Sequence, residues 1–122
     1  MKPTEYPWGD AADLRIESVD WTHRGEYIQT RSLRSPGDMD IYPEWATEAV
    51  FDVNRLVAAP DPASKSGESI RVIGYSRGAR AVLGIILLPT APPEEFDGDW
   101  YGVNAWLANS TAQKNYYREG RP

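Results

Sequence analysis

The side chains best suited to chemistry fall in one stretch. Lys65, Arg71, Arg77 and Arg80 lie within sixteen positions, and only Glu68 opposes them. Arginines on a sheet face beside Trp100, Asn104 and Trp106 would hold a phosphate and stack bases. Such a face would cleave RNA without a metal. A 2′-hydroxyl supplies the nucleophile, and guanidinium groups stabilise the charged phosphorane. The plainer reading has Arg71 lying along the sheet margin with its head in water, and the tryptophans covering core or partner surface. The residues alone favour that plainer reading.

Other constellations are weaker. Gly74-Tyr75-Ser76-Arg77-Gly78 fits the G-x-S-x-G turn of α/β-hydrolases. That turn needs a helix after the serine and a later histidine. The only histidine, His23, comes first, and residues 80–88 read as a strand. A serine hydrolase is therefore a remote alternative. Ser76 reads as the end of a strand before a glycine hairpin, a surface hydroxyl whose loss costs under about 1 kcal/mol. Asp38-Met39-Asp40 and the cluster Glu94, Glu95, Asp97 and Asp99 offer oxygen ligands but no EF-hand spacing, so they read as solvated loops. His23 beside Arg24 reads as a surface residue.

Composition narrows the classes. With no cysteine and one histidine, thiolate zinc, iron–sulfur and multi-histidine sites are excluded. No metal or other cofactor is expected. A net charge of −5 argues against bulk binding of polyanions, so any contact with nucleic acid must use a local basic patch. Five Trp and seven Tyr against two Phe point to half-exposed rings at a contact surface. The longest apolar run, Ala81 to Leu88, is too short to cross a membrane, and the first ten residues lack a signal-like apolar stretch. The expectation is a cytoplasmic protein with no membrane partner.

The elements that must position these residues follow from periodicity. One domain spans 1–122, with 1–12 irregular and 13–122 an α+β unit. Leu14 to Val19 alternates as a strand, and Asp20 to Arg34 is helix or loop. Tyr42 to Asn54 is a helix that buries Trp45, Ala49 and Val53 and turns Glu48 and Asp52 to water. Leu56 to Ala59 is a short strand. Ser69 to Ser76, Arg80 to Leu88 and Asp99 to Ala108 form an antiparallel meander. Val82, Ile86 and Leu88 should be buried on its central strand. On the last strand Trp100, Asn104 and Trp106 point one way. Ser110 to Gln113 reads as a capping box opening a terminal helix that Gly120 closes. The fold class is α+β: a small antiparallel sheet, a three-strand meander plus an N-terminal strand, packed with two to three helices.

Residues 44–117 resemble the BrnT family of toxins from type II toxin–antitoxin pairs, which have the RelE/ParE-like fold. The resemblance rests on Glu48-Ala49-Val50-Phe51-Asp52, on Asp61-Pro62 and on Gly67-Glu68-Ser69-Ile70-Arg71-Val72-Ile73-Gly74-Tyr75-Ser76. Val103-Asn104-Ala105 with Ala108, and Tyr116 near the end, complete it. It implies a compact sheet flanked by helices, a ribonuclease that arrests translation, and a small antitoxin protein as partner. Arg71 is the basic family position that carries over; the position after Ala105, usually basic in the family, is Trp106. On this reading Arg71, Arg80 and Asn104 are catalytic, and Lys65, Arg77, Trp106 and Tyr116 bind RNA. Arg71 and Arg80 should share a side of the sheet with Asn104 and Trp106. The alternative is a non-catalytic protein-binding module on the same fold.

Overall fold

The computed structural model describes residues 6–119. It is an α+β fold with one five-stranded sheet of order β1-β5-β4-β3-β2. The strands are β1 (Ser18–Asp20), β2 (Leu56–Ala58), β3 (Ile70–Ser76), β4 (Ala81–Pro89) and β5 (Asp99–Leu107). The helices are α1 (Gly25–Gln29), α2 (Arg31–Arg34), α3 (Pro43–Val50) and α4 (Ser110–Glu119). The meander β3-β4-β5 is antiparallel as expected, and β2 adds antiparallel to β3. The N-terminal strand differs from expectation. It pairs parallel with β5, over three residues only, so the sheet is mixed. Leu14 and Ile16 precede it as extended chain and are buried without joining the ladder.

The two faces of the sheet are covered unequally. On one face Ile70, Val72, Leu83, Ile85, Leu87, Trp100 and Ala105 meet Ile28 of α1, and Ala46, Ala49 and Val50 of α3. Burying such side chains contributes about 1.5–3 kcal/mol each. Contact with α3 is close enough to require glycine at 74, where a Cβ would lie 1.9 Å from the Ala49 carbonyl oxygen. On the opposite face α4 packs Tyr116 and Ala112 against Val82, Ala108, Leu56, Ile73 and Tyr75. Because α4 crosses only part of this face, Ile86 and Leu88 are half-buried, not fully buried as expected.

Helix ends account for other differences. α3 stops at Val50, so Val53 is 93% exposed, and Trp45 is only partly buried. Asn109, one residue earlier than expected, caps α4: its Oδ1 accepts from the Ala112 amide at 2.8 Å. Gln113 donates to the Ala108 carbonyl at 2.8 Å. Gly120 lies outside the described residues.

A bulge in β5 resets the last strand. Ile86 pairs with Asn104, but Leu87 pairs with Gly102, so Val103 is the extra residue. An extra residue inverts the alternation beyond it. Trp100 therefore joins the helix-covered core, fully buried, while Asn104 and Trp106 face the other side. The expected grouping of all three is corrected on this ground. Among the described residues no helix is long and apolar enough to cross a membrane.

Candidate functional site

The open face is built in rows across the strands. Arg71, Ile86 and Asn104 form one row, and Ile73, Gly84 and Trp106 the next. Strand spacing puts the Arg71 and Asn104 backbones about 10 Å apart. Gly84 lets the Trp106 indole lie against the sheet, since a Cβ there would come within 2.6 Å of the ring. The Arg71 guanidinium carbon lies 5.8 Å from the Trp106 ring centre, within cation–π range.

Arg71 is held from one side. Its Nη2 pairs at 3.0 Å with Oδ1 of Asp61, whose side chain is only 6% exposed. The Arg71 Nε is buried and has no hydrogen-bond partner. A hollow of about 310 Å³ opens beside Arg71, floored by Leu56 and Ile73 and walled by Asn109 and by Ala112, Asn115 and Glu119 of α4.

Asn104 is fixed by two donors to its Oδ1: the Ala105 amide at 2.9 Å and Arg31 Nη1 at 3.3 Å. Arg31 is steadied in turn by Asp38 at 3.2 Å. Arg24 Nε donates to the Val103 carbonyl at 3.0 Å. Since β1 reaches only to Tyr101, these side chains close the unpaired outer margin of β5. A second hollow, about 290 Å³, lies between Trp106, Leu107, Arg31 and the Gly37–Met39 loop. His23 packs edge-on against Tyr101 at 5.7 Å, at the far end of the same face.

Of the seven expected site residues, three meet: Arg71, Asn104 and Trp106. Arg77 and Arg80 stand exposed in the turn between β3 and β4, six or more residues along from Arg71. At strand rise that is about 20 Å. Arg80 was expected to begin β4; its φ of 55° places it in the turn instead. Lys65 is exposed in the loop before β3. Tyr116 is the buried residue of α4, 5% exposed, and its hydroxyl donates to Asp52.

A second polar cluster fastens the hairpin end to α3. Ser76 is fully buried and donates to Glu48 Oε1 at 2.7 Å; the Gly78 amide donates to the same oxygen at 2.9 Å. The Ala79 amide donates to Ser76 Oγ at 3.0 Å. Ser76 is therefore not the surface hydroxyl expected. It is also committed to Glu48, with its backbone in a hairpin, which leaves the hydrolase reading without geometry. Asp52 accepts from the Tyr75 amide at 2.8 Å, from Asn54 at 3.0 Å and from Tyr116. The Ser76 hydroxyl and then the Gly78 amide hold the Glu48 carboxyl below its usual range. Burial pushes Asp52 up, but the hydrogen bonds from Tyr116, Asn54 and Tyr75 outweigh it and leave it below its usual range.

Sequence reasoning missed Arg31, Asp61 and this carboxylate pair. Glu48 and Asp52 sit four apart on the polar side of a helix, the same pattern that a solvated face gives. Among the described residues no group of three or more His, Asp or Glu is placed to hold a metal ion. No family model matches the chain, and neither a curated protein nor a solved structure matches it.

Proposed function

We propose that this chain is a BrnT-like toxin on a RelE-like sheet, a cytoplasmic metal-independent endoribonuclease that arrests translation and is restrained by a small antitoxin protein. The observation that carries this reading is the Arg71–Trp106 pair on the open face, with Asn104 across the same row. Trp106 offers an indole for a base to stack on. Arg71, whose side chain is 37% exposed, offers guanidinium donors to the adjacent phosphate. The 2′-hydroxyl passes its proton to water as the 2′-oxygen attacks phosphorus. The 5′-oxygen leaves with a proton from water, giving a 2′,3′-cyclic phosphate and a 5′-hydroxyl. Arg71 stabilises the negative charge that builds on the phosphorane.

Expression in a bacterial host tests this directly. Wild-type protein should arrest growth and cleave RNA, either free RNA in EDTA or, in Mg²⁺ buffer, RNA on ribosomes. Arg71→Ala should do neither while remaining folded.

One observation favours the second reading, a non-catalytic protein-binding module. Asp61 already neutralises Arg71, and Arg77 and Arg80 are too distant to add charge. On that reading wild-type protein cleaves no RNA under any of these conditions, and Trp106→Ala breaks a protein complex.

A further inference from the structure

The hollow beside Trp106 holds about 290 Å³ and is lined by Arg31, Gly37, Asp38, Met39, Trp106 and Leu107. That is the lower end of the range for small-molecule sites, room for one flat ring system and not for a peptide chain. One indole face of Trp106 rests on Gly84, so the face left to a ligand is the one turned from the sheet. Trp106 is also the ring that the Arg71 guanidinium approaches, at 5.8 Å. A nucleotide seated by its base on this indole has Arg71 for its phosphate.

The loop that walls the hollow is tied down. Asp40 accepts from the Ser32 amide at 2.7 Å and the Ser32 hydroxyl at 3.0 Å. The Asp38 amide donates to the Ser35 carbonyl at 3.0 Å, and the Ile41 amide to the Ile28 carbonyl at 2.9 Å. A wall already held in place lowers the ordering cost of binding. Its polar pair is only partly used. Arg31 Nε meets Asp38 Oδ2 at 3.2 Å, and Arg31 Nη1 donates to Asn104 Oδ1 at 3.3 Å. Among the described residues, Arg31 Nη2 and Asp38 Oδ1 bond to nothing, and the Asp38 side chain is 45% exposed. The two charges cancel, so the hollow selects no anion. It selects a neutral ring edge that offers an acceptor to the guanidinium and donors to the carboxylate.

Every nucleobase sets one donor beside one acceptor. Guanine adds a second donor on the same edge: O6 accepts, and N1–H and N2–H donate. A carboxylate has lone pairs for both donors. We propose that this hollow binds guanine, with Arg31 Nη2 donating to O6, the Asp38 carboxylate accepting from N1–H and N2–H, and the Trp106 indole stacking on the ring. The inference rests on the RNA reading and deepens it, by naming the base held beside the phosphate that Arg71 meets.

The four ribonucleoside monophosphates test it, each titrated into the isotope-labelled full chain while backbone amide resonances are followed. Guanosine monophosphate should shift the amides of Gly37, Asp38, Met39 and Leu107 saturably, and bind about tenfold tighter than the other three. Asp38→Asn should erase that preference, because its amide turns oxygen to Arg31 and leaves N–H groups facing the donors of guanine. Equal affinity for all four, shifts confined to other surfaces, or no shifts overturn the proposal. Two RNA oligonucleotides, alike except for a single G replaced by A, separate the sources of the base. Tighter binding of the G oligonucleotide than of guanosine monophosphate supports guanine in RNA. If the monophosphate binds as tightly as the oligonucleotide and no RNA is cleaved, the guanine site stands for a free nucleotide and the ribonuclease reading alone falls. Cleavage of both oligonucleotides without preference keeps the ribonuclease reading and overturns the guanine site.

Discussion

At the hairpin end, Ser76, Gly78, Tyr75, Asn54 and Tyr116 all donate to the two carboxylates Glu48 and Asp52. In the middle of the open face, Arg71 meets one carboxylate, lies over an indole, and leaves its buried Nε with nothing to bond. Asp52 in the first region and Arg71 in the second are half-buried charges. Only the first repays that with hydrogen bonds. A buried donor left without a partner costs about 1–3 kcal/mol. The hairpin end is thus closed on itself, whereas the Arg71 side chain is 37% exposed and can meet an anion there. A cluster rich in chemically able groups can be pure fastening, and the sparser one can be where a ligand improves the molecule.

Four experiments break or sharpen that contrast. Arg71→Ala should lower RNA cleavage by about 10²–10³-fold, the usual loss when a charge-stabilising donor goes. Circular dichroism should show the fold retained, and a loss of cleavage that tracks unfolding would erase the contrast. Asp52→Ala strands the Tyr75 amide and the Tyr116 hydroxyl. It should cost about 2–4 kcal/mol in denaturant unfolding and leave cleavage by the folded fraction unchanged. Trp106→Ala should weaken RNA binding by about 1–3 kcal/mol, read by titration with a labelled oligonucleotide. Ser76→Ala should cost about 1–2 kcal/mol, more than a surface serine, because a fully buried hydroxyl that bonds Glu48 and the Ala79 amide is lost.

Acid gives the smallest effect. Glu48 and Asp52 have folded pKa values below their unfolded ones. Their contribution to stability is therefore complete above the ordinary carboxylate range and is lost as pH falls through the folded values, from about pH 4 downward. The thermal midpoint of wild type should fall over that window. In a Glu48→Gln, Asp52→Asn variant it should start lower and fall less. Equal slopes would mean the hairpin end is not carboxylate-fastened.

The meander was legible because Ile70 to Ser76 alternates and Ala81 to Pro89 is almost wholly apolar. The helix α3 was legible from Ala46, Ala49 and Val50. Of the two arginines expected beside Asn104 and Trp106, Arg71 shares their side of the sheet and Arg80 lies in the turn. The Val103 bulge left no mark in the sequence, because Tyr-Gly-Val-Asn-Ala alternates as smoothly as an unbroken strand, and Trp100 was misplaced with it. Arg80 looked like the first residue of a strand because a two- or three-residue hairpin is commoner than a turn that spends an arginine in left-handed backbone. The parallel partnership of β1 rests on three residues and is set by the path of the chain through Trp21 and α1, which no local pattern reports. Ser76 was misjudged because its burial depends on a helix 28 positions away.

The closed margins of the sheet bear on how the protein behaves in a crowded solution. Past Tyr101, the outer margin of β5 is shut by Arg24 on the Val103 carbonyl and by Asn104 on the Ala105 amide. Past Ile73, the outer margin of β3 is shut at the Tyr75 amide by Asp52. The edges left to a neighbour are the outer sides of β1 and β2, three residues each, and so short an edge is a poor template for adding another strand. Apolar side chains can then stay in water at Val53 and Leu107 without the molecule becoming a template for its own polymerisation.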